Sequence, residues 1–200
     1  MASLVGTLAL KLSDLRATMV DAEALPPEAL PLGLSSVPMT LIGSSARLYG
    51  NCTEKELEAA LAAESTGRGA GFTLGHMLDH RLGAEALELV RQRLCAVGAL
   101  AGLVGGESLS LRLGTIYLLS QLAKEDRGLA GEGLPVLHSL LAHASPSIRG
   151  DALYALAEVG DLRSLPEVER LLSDPDEEVR AAAEEAREKI RSFNVWGSRM

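Results

Sequence analysis

Two cysteines and a pair of histidines are the residues of this chain best suited to chemistry. Cys52 and Cys95 lie 43 positions apart, which fits neither a Cys-x-x-Cys motif nor a disulfide framework. We interpret them as ordinary thiols of a reducing compartment. His76 and His80 are four positions apart beside Asp79, so a helix would place both imidazoles on one face.

Zinc hydrolases combine such a histidine pair with a third ligand and a glutamate general base. Here no third ligand stands at a motif spacing, and Asp79 is not the required glutamate. We therefore predict no metal site and interpret His76 and His80 as solvated residues of a helix surface. We also interpret His138 and His143 as surface residues of a repeat helix and its turn.

Two further clusters are explained by local structure. Four glycines between Gly67 and Gly75 lack the strand and the Gly-Lys-Ser/Thr of a phosphate-binding loop. Their first part, residues 65–71, is interpreted as a linker. Asp174 is predicted to cap a helix that Pro175 opens, with Glu177 completing a capping box. None of these patterns predicts a cofactor.

Composition and charge narrow the class of partner. Hydrophobic residues make up 47% of the chain, only 3% are aromatic, and the formal net charge is −8. The absence of a basic patch argues against a nucleic acid and against an anionic membrane surface. The longest apolar run, residues 95–106, is too short to span a bilayer, and residues 4–10 make a poor signal peptide. We expect a cytoplasmic protein.

An internal repeat organises the C-terminal part. Residues 134–141 recur 31 positions later as residues 165–172, and each copy is followed by a turn and a second helix. The second helix of the middle copy carries an apolar stripe at helical spacing, formed by Ile148, Ala152, Leu153, Ala155, Leu156 and Val159.

The same stripe recurs 37 positions upstream and 31 positions downstream. These shifts align Arg112, Arg149 and Arg180, and they place Tyr117 under Tyr154. In the last copy, charged residues at positions 184 and 187 replace apolar ones, which predicts a terminal repeat whose outer face meets water. Residues 107–192 resemble the HEAT-like repeats of phycobilisome-lyase-type and related helical-array proteins, which bind many unrelated partners.

The first third alternates helix and strand patterns. Residues 1–15 predict a helix and residues 16–20 a short strand, followed by an acidic, proline-rich stretch. Met39–Ile42 and Ala46–Tyr49 predict a hairpin around a Gly43-Ser44-Ser45 turn. Thr53 and Glu56 predict a capping box that opens a helix to about Glu64.

This order of elements resembles the second part of a thioredoxin- or glutaredoxin-like domain. Val37 and Pro38 stand where that family has its cis-proline, in a loop that touches the substrate backbone beside the active dithiol. The resemblance implies that Val37 and Pro38 contact a peptide or partner. The alternative is a trans proline that opens an edge strand.

The chain departs from the family at the active site. The family's Cys-x-x-Cys stands at the start of the helix that matches residues 1–15, after a central strand that has no counterpart here. Without that dithiol, disulfide exchange is not available to this chain, and Cys52 is interpreted as an inert, half-buried thiol. Either another chain completes the sheet, for example in a homodimer, or an upstream segment carries the missing parts.

We predict an α+β, mostly α protein, in which a small incomplete thioredoxin-like part precedes an α-solenoid of HEAT-like helix pairs. Its parts are a partial thioredoxin-like domain (1–66), a linker or junction helix (67–83), helical repeats (84–192) and a tail (193–200). The predicted function is a non-catalytic scaffold that binds another protein or a peptide. The alternative is a thiol-disulfide oxidoreductase whose Cys-x-x-Cys segment lies upstream, and a chromophore lyase or chaperone is a weaker third interpretation.

Overall fold

The computed structural model describes Thr18 and residues 38–197, with side chains up to Phe193. The predicted helix at residues 1–15, the predicted strand at residues 16–20 (apart from Thr18) and Val37 lie outside the described residues. Contacts between Cα atoms divide the chain into two compact units, Met1–His76 and Met77–Met200.

The first unit contains the predicted hairpin. Strands β1 (Met39–Ile42) and β2 (Ala46–Tyr49) pair antiparallel, with Met39 opposite Tyr49 and Ile42 opposite Ala46. One face of the hairpin packs on helix α1 (Glu54–Ser65) through a small apolar core. Its fully buried members are Ile42, Ala46, Leu48, Leu57 and Ala60.

The start of α1 is fixed by the predicted capping box. The Thr53 hydroxyl accepts a hydrogen bond from the Glu56 backbone N–H at 3.2 Å, and the Glu56 carboxylate accepts one from the Thr53 N–H at 2.7 Å. These two bonds satisfy donors that the first turn of a helix leaves unpaired. The capping-box prediction is confirmed.

The end of α1 is tied to the hairpin turn by one carboxylate. Glu64 accepts hydrogen bonds from the backbone N–H groups of Ser44, Ser45 and Ala46 and from both serine hydroxyls, at 2.6–3.2 Å. The Ser45 hydroxyl is the largest cause that lowers the pKa of Glu64, to about 2. The carboxylate therefore acts as a clamp in its ionised form.

The glycine-rich stretch is mostly helix, contrary to the linker interpretation. Helix α2 spans Gly69–Asp79, so only residues 66–68 connect it to α1. A Cβ atom on Gly69 would lie 2.0 Å from the Glu64 carboxylate and 2.9 Å from the Ala46 nitrogen. Glycine is required there because the helix begins against the clamp.

The second unit is a series of helices. They are α3 (Gly83–Arg91), α4 (Val97–Gly102), α5 (Leu109–Glu125), α6 (Arg127–Ala130), α7 (Leu134–Leu140), α8 (Pro146–Val159), α9 (Leu165–Arg170) and α10 (Glu177–Gly197). Three pairs form the repeats, namely α4 with α5, α7 with α8, and α9 with α10. Short 3-10 segments extend or join the first helices of these pairs.

The second helices of the pairs stack in order, with α8 packed between α5 and α10. All six residues of the predicted stripe on α8 are buried. Ala183, Ala186 and Ile190 continue the stripe on α10, whereas Glu184 is exposed and Arg187 is partly exposed. The prediction of helical repeats that end in a polar copy agrees with this packing.

The last helix returns to the end of α8. Gly160 ends α8 in the left-handed conformation, with φ of 66°, as is common after helices. A Cβ atom there would lie 2.8 Å from the Phe193 ring, and the Arg127 guanidinium lies 4.6 Å from the centre of that ring. Helix α10 thus continues to Gly197, into the segment expected to be a tail.

Candidate partner-binding site

Three arginines occupy the same place in successive repeats. The guanidinium nitrogen Nη1 of each arginine donates hydrogen bonds to two backbone carbonyl oxygens that precede the second helix of its own pair, at 2.8–3.2 Å. The arginines are Arg112 on α5, Arg149 on α8 and Arg180 on α10. Each one closes the turn inside its own pair.

In the first two repeats, the other side of the guanidinium reaches the next repeat. Arg112 pairs with Asp151 and donates to the Ser147 hydroxyl at 3.0 Å. Arg149 forms a two-pronged pair with Asp174 at 2.7 and 2.9 Å, and both side chains are about nine-tenths buried. Hydrogen bonding to Arg149 holds the pKa of Asp174 below its ordinary value. These pairs link neighbouring repeats, and we call Arg112, Arg149 and Arg180 with their contacts the arginine ladder.

The ladder fixes which residues correspond along the array. Because the three arginines make the same turn contacts, residues at the same offset from each arginine occupy equivalent places on successive second helices. The position five residues after the arginine is Tyr117, Tyr154 and Glu185. The position one residue after it is Leu113, Gly150 and Ala181, and the position three before it is Leu109, Pro146 and Glu177.

On the first two helices these positions are apolar, and all except Gly150 are exposed. On α5, the exposed fractions are 56% for Leu109, 53% for Leu113 and 62% for Tyr117, at a spacing of four that places them on one side of the helix. On α8, Tyr154 is 47% exposed. We call these four side chains the apolar face. Exposed apolar clusters of this kind mark interaction sites more often than scattered residues do.

The equivalent positions on α10 are acidic. Glu177 and Glu185 are exposed, and with the neighbouring Glu178 and Glu188 they form what we call the acidic edge. Within residues 38–193, none of these four carboxylates forms an ion pair. Between the two zones, Glu158 on α8 accepts a hydrogen bond from Lys189 at 2.7 Å. Burial raises the pKa of Glu158, but Lys189, Ser120 and Lys124 together lower it below its ordinary value.

The histidine predictions hold only in part. His80 is exposed just beyond the end of α2, as expected, but His76 is buried and stacks on Phe72 with ring centroids 6.0 Å apart. The surface interpretation of His76 is wrong because residues 73–77 of α2 are buried. His138 is half-buried, with Nε2 2.9 Å from the Ser164 hydroxyl, whereas His143 is exposed.

The acidic cluster caps α10 through a different residue from the one predicted. Asp176 Oδ1 accepts hydrogen bonds from the backbone N–H groups of Glu178 and Val179, at 3.0 and 3.2 Å. Asp174 lies two residues earlier, accepts a hydrogen bond from the Asp176 N–H and pairs with Arg149. Pro175 therefore precedes the helix rather than opening it. In the middle copy, Pro146 does open α8, as predicted.

The residues tied to the thioredoxin-like hypothesis are placed only in part. Val37 lies outside the described residues, and Pro38 is exposed directly before β1, where its carbonyl accepts from the Gly50 N–H at 2.8 Å. Both cysteines are described, and neither forms a disulfide. Burial is the main cause that raises the pKa of the half-buried Cys52, which disfavours its thiolate.

Comparison with known proteins supports the repeats. Residues 96–188 match the family model for HEAT repeats. A search of curated proteins finds no significant match for the chain. Among the described helices, none is long and apolar enough to cross a membrane. The C-terminal unit therefore contains HEAT-like helical repeats, an architecture that commonly mediates protein–protein interaction.

Sequence reasoning aligned Tyr117 with Tyr154 but did not assign them to a site. The available signal was the spacing of Leu109, Leu113 and Tyr117, which falls on the side of α5 opposite the core stripe. Apolar residues on both sides of an amphipathic helix indicate either a buried helix or a binding face.

Proposed function

We propose that this protein is a non-catalytic scaffold that binds another protein through the apolar face of its HEAT-like repeats. The observation that carries the proposal is the exposure of Leu109, Leu113, Tyr117 and Tyr154 at corresponding positions of neighbouring second helices. Tyrosine is favoured in binding sites because its ring offers apolar area and its hydroxyl a hydrogen bond. A cytoplasmic location is part of the same proposal, on the evidence of composition and the absence of a disulfide framework.

Site-specific photocrosslinking tests this proposal. Replacing Tyr117 or Tyr154 with a benzophenone amino acid should give a discrete crosslinked protein in cells, identified by mass spectrometry. The same amino acid at Ala142, an exposed residue after the first helix of the middle pair, is the matched control. Equal labelling at Ala142, or no labelled protein at either tyrosine, would contradict the proposal.

A second candidate concerns the hairpin and the predicted site at Val37 and Pro38. Residue pairs in an antiparallel hairpin alternate between hydrogen-bonded and non-hydrogen-bonded, and the bond from the Gly50 N–H to the Pro38 carbonyl fixes which pairs are which. Met39 and Leu41 belong to non-hydrogen-bonded pairs, so their backbone N–H and C=O groups point away from β2. Within residues 38–197 no strand pairs with that edge. It therefore suits either a bound peptide or a strand from a second copy, as the thioredoxin-like hypothesis requires.

The outer edge of β1 can be blocked without breaking the hairpin. Leu41→Pro removes a backbone N–H that points away from β2. If a homodimer completes the sheet, light scattering during gel filtration should show a dimer for the wild type and a monomer for Leu41→Pro. For a peptide site, Pro38→Ala should weaken peptide binding while the helical content stays unchanged, and equal affinity would remove the site.

The oxidoreductase alternative places the Cys-x-x-Cys segment upstream of Met1. The hairpin that directly follows Pro38 and the capped α1 favour it, since both stand in the expected order. Reading the coding sequence upstream of Met1 tests it directly. An in-frame strand pattern ending in Cys-x-x-Cys within roughly 30 residues supports the oxidoreductase, and an in-frame stop codon removes it.

A further inference from the structure

Two small residues stand where the apolar face gives way to the acidic edge. One position after each ladder arginine the array carries Leu113, then Gly150, then Ala181. A Cβ atom added to Gly150 would meet no atom within 4 Å, so the space above α8 at this point is open. We call the positions of Gly150 and Ala181 the trough.

The trough lies between two rows of larger residues. Tyr154 and Glu185 stand one helical turn to one side, and Pro146 and Glu177 stand one turn to the other. Small residues on a helix surface let another backbone approach closely. The trough therefore suits an extended peptide that crosses the second helices, rather than a helix that needs a broad apolar groove.

The charge changes along the same row. The trough begins beside Leu113 and Tyr117, passes Tyr154, and ends between Glu177 and Glu185. Because the acidic edge has no ion pair within residues 38–193, its negative charge is available to a ligand. Complementary charge favours a peptide that is basic at this end. The formal net charge of −8 also favours the approach of a cationic ligand.

We propose that the trough binds an extended peptide segment of a partner protein, with apolar side chains towards α5 and α8 and Lys or Arg towards α10. This rests on the proposed scaffold function and specifies its ligand. Helices that pack 8–10 Å apart give a path of about 20 Å across α5, α8 and α10. At about 3.3 Å per residue, that path holds about six extended residues.

Selection from a phage-displayed library of random dodecapeptides tests the chemistry on the full chain. The recovered peptides should carry apolar residues at alternate positions, followed by Lys or Arg towards one end. A recovered peptide is then synthesised with a fluorophore, and its affinity is measured by anisotropy. A library selection that returns peptides without an excess of Lys and Arg would overturn the inference.

Gly150→Leu fills the trough, and the added Cβ atom would meet no neighbour in the fold. We expect this variant to bind the recovered peptide at least about tenfold more weakly, because the leucine occupies the path of the peptide backbone. Ala142→Leu, which adds the same side chain at an exposed position away from the trough, is the matched control and should change the affinity by less than about threefold. Circular dichroism melting verifies that both variants are folded. Equal affinity of wild type and Gly150→Leu would also overturn the inference.

Glu185→Lys tests the acidic edge. It should lower the affinity for a basic peptide about five- to tenfold. The loss of affinity should be smaller at high salt, because salt screens the attraction. Glu58→Lys, on an exposed face of α1, makes the same change in net charge and should leave the affinity unchanged. An unchanged affinity of Glu185→Lys would exclude the charged end of the proposed site.

The two proposals fail in distinguishable ways. If benzophenone at Tyr117 labels a protein but the library returns no binder, or Gly150→Leu leaves that labelling intact, the scaffold function stands and the peptide inference is overturned. If neither tyrosine labels a protein and the library returns no binder, both are overturned.

Discussion

Glu64 shows how one residue can hold two distant elements together. Its carboxylate receives five hydrogen bonds from the turn between β1 and β2, at positions 44–46. The partners lie 18–20 positions away in the sequence. A clamp of this kind depends on the folded arrangement, so the sequence predicted the turn and the helix but not the bond between them.

We expect Glu64→Gln to destabilise the first unit by about 1–2 kcal/mol, since the charged acceptor is lost and solvent screens part of its effect. The pKa of Glu64 is lowered to about 2. Its contribution is therefore fully present above the unfolded pKa of about 4.3 and is lost as the pH falls towards 2. Urea unfolding at several pH values measures this contribution to the free energy of unfolding. Hydrogen exchange of the backbone amides of residues 44–46 reports on it locally.

The matched control is Glu58→Gln, at an exposed position of the same helix. It should change the unfolding free energy by less than about 0.5 kcal/mol at every pH. A pH dependence between 2 and 4 that is the same in wild type and Glu64→Gln would contradict the clamp.

Other single residues show where local reasoning works. Thr53 and Glu56 are three positions apart, and their bonds form within one helical turn, so the sequence alone predicted them. The cap of α10 was predicted two residues too early, because Asp174 and Asp176 are both suitable residues in front of the helix. The ion pair with Arg149, which only the stacked repeats create, distinguishes the two.

At the scale of elements, the ion pair between Arg149 and Asp174 joins α8 to the turn before α10. Replacing Arg149 with Met keeps the apolar stem but leaves Asp174 without its cation in a nearly buried place. We expect a loss of about 3 kcal/mol in unfolding free energy. Chemical denaturation at neutral pH measures the loss.

Arg170→Met is the control for this loss, because Arg170 and Glu167 form an exposed pair. It should cost less than about 0.5 kcal/mol. Since the pKa of Asp174 is lowered, the stability difference between wild type and Arg149→Met should shrink as the pH falls below about 4. A difference that does not change with pH would count against a charge-dependent pair.

The middle of α8 offers a stabilising change. Gly150 lies inside the helix, and an added Cβ atom would meet no neighbour. We expect Gly150→Ala to raise the unfolding free energy by about 0.5–1 kcal/mol, because alanine loses less backbone freedom on folding. Thermal unfolding checks this, and a lower melting temperature would show that the site is not open.

Elements with a clear period were predicted well, and elements that depend on close contacts were not. The hairpin was placed at its observed bounds because its two strands flank a Gly-Ser-Ser turn. Helix α2 was partly interpreted as a linker because its glycines lower helix propensity. Glycine is needed at position 69 because the backbone there lies against the Glu64 clamp. Helix propensity does not contain this contact.

At the scale of the whole molecule, the last described repeat is polar where the middle repeat is apolar. Glu184 and Arg187 stand where α8 has the buried Leu153 and Leu156. Glu184→Leu/Arg187→Leu should give that end the apolar character of an internal repeat and cause self-association, because a further repeat is absent from the described residues. Analytical ultracentrifugation should show concentration-dependent dimers.

The double variant Glu184→Gln/Arg187→Gln removes the same charges without adding apolar area. It should sediment like the wild type. Self-association of the glutamine variant would show that lost charge, and not apolar area, drives the effect.

The repeats were readable from the sequence because copies of one pattern recur at 31 and 37 positions. The partner-binding face was not assigned, because a single sequence does not tell a binding side chain from a chance exposed one. The sequence already aligned Tyr117 with Tyr154, but only the structure showed that both side chains are exposed on neighbouring second helices. The thioredoxin-like interpretation of the first part stays a prediction.

The arginine ladder also gives the array a direction. Each arginine closes its own turn, and Arg112 and Arg149 take their carboxylates from the following repeat, so these ion pairs tie a repeat to its C-terminal neighbour. Unfolding of the last helix pair would leave Arg149 without Asp174. Unfolding of the first helix pair would remove Arg112, and Asp151 would then be solvated by water. Fraying of the array should therefore proceed backwards from α10, with each unzipped repeat weakening the one that precedes it.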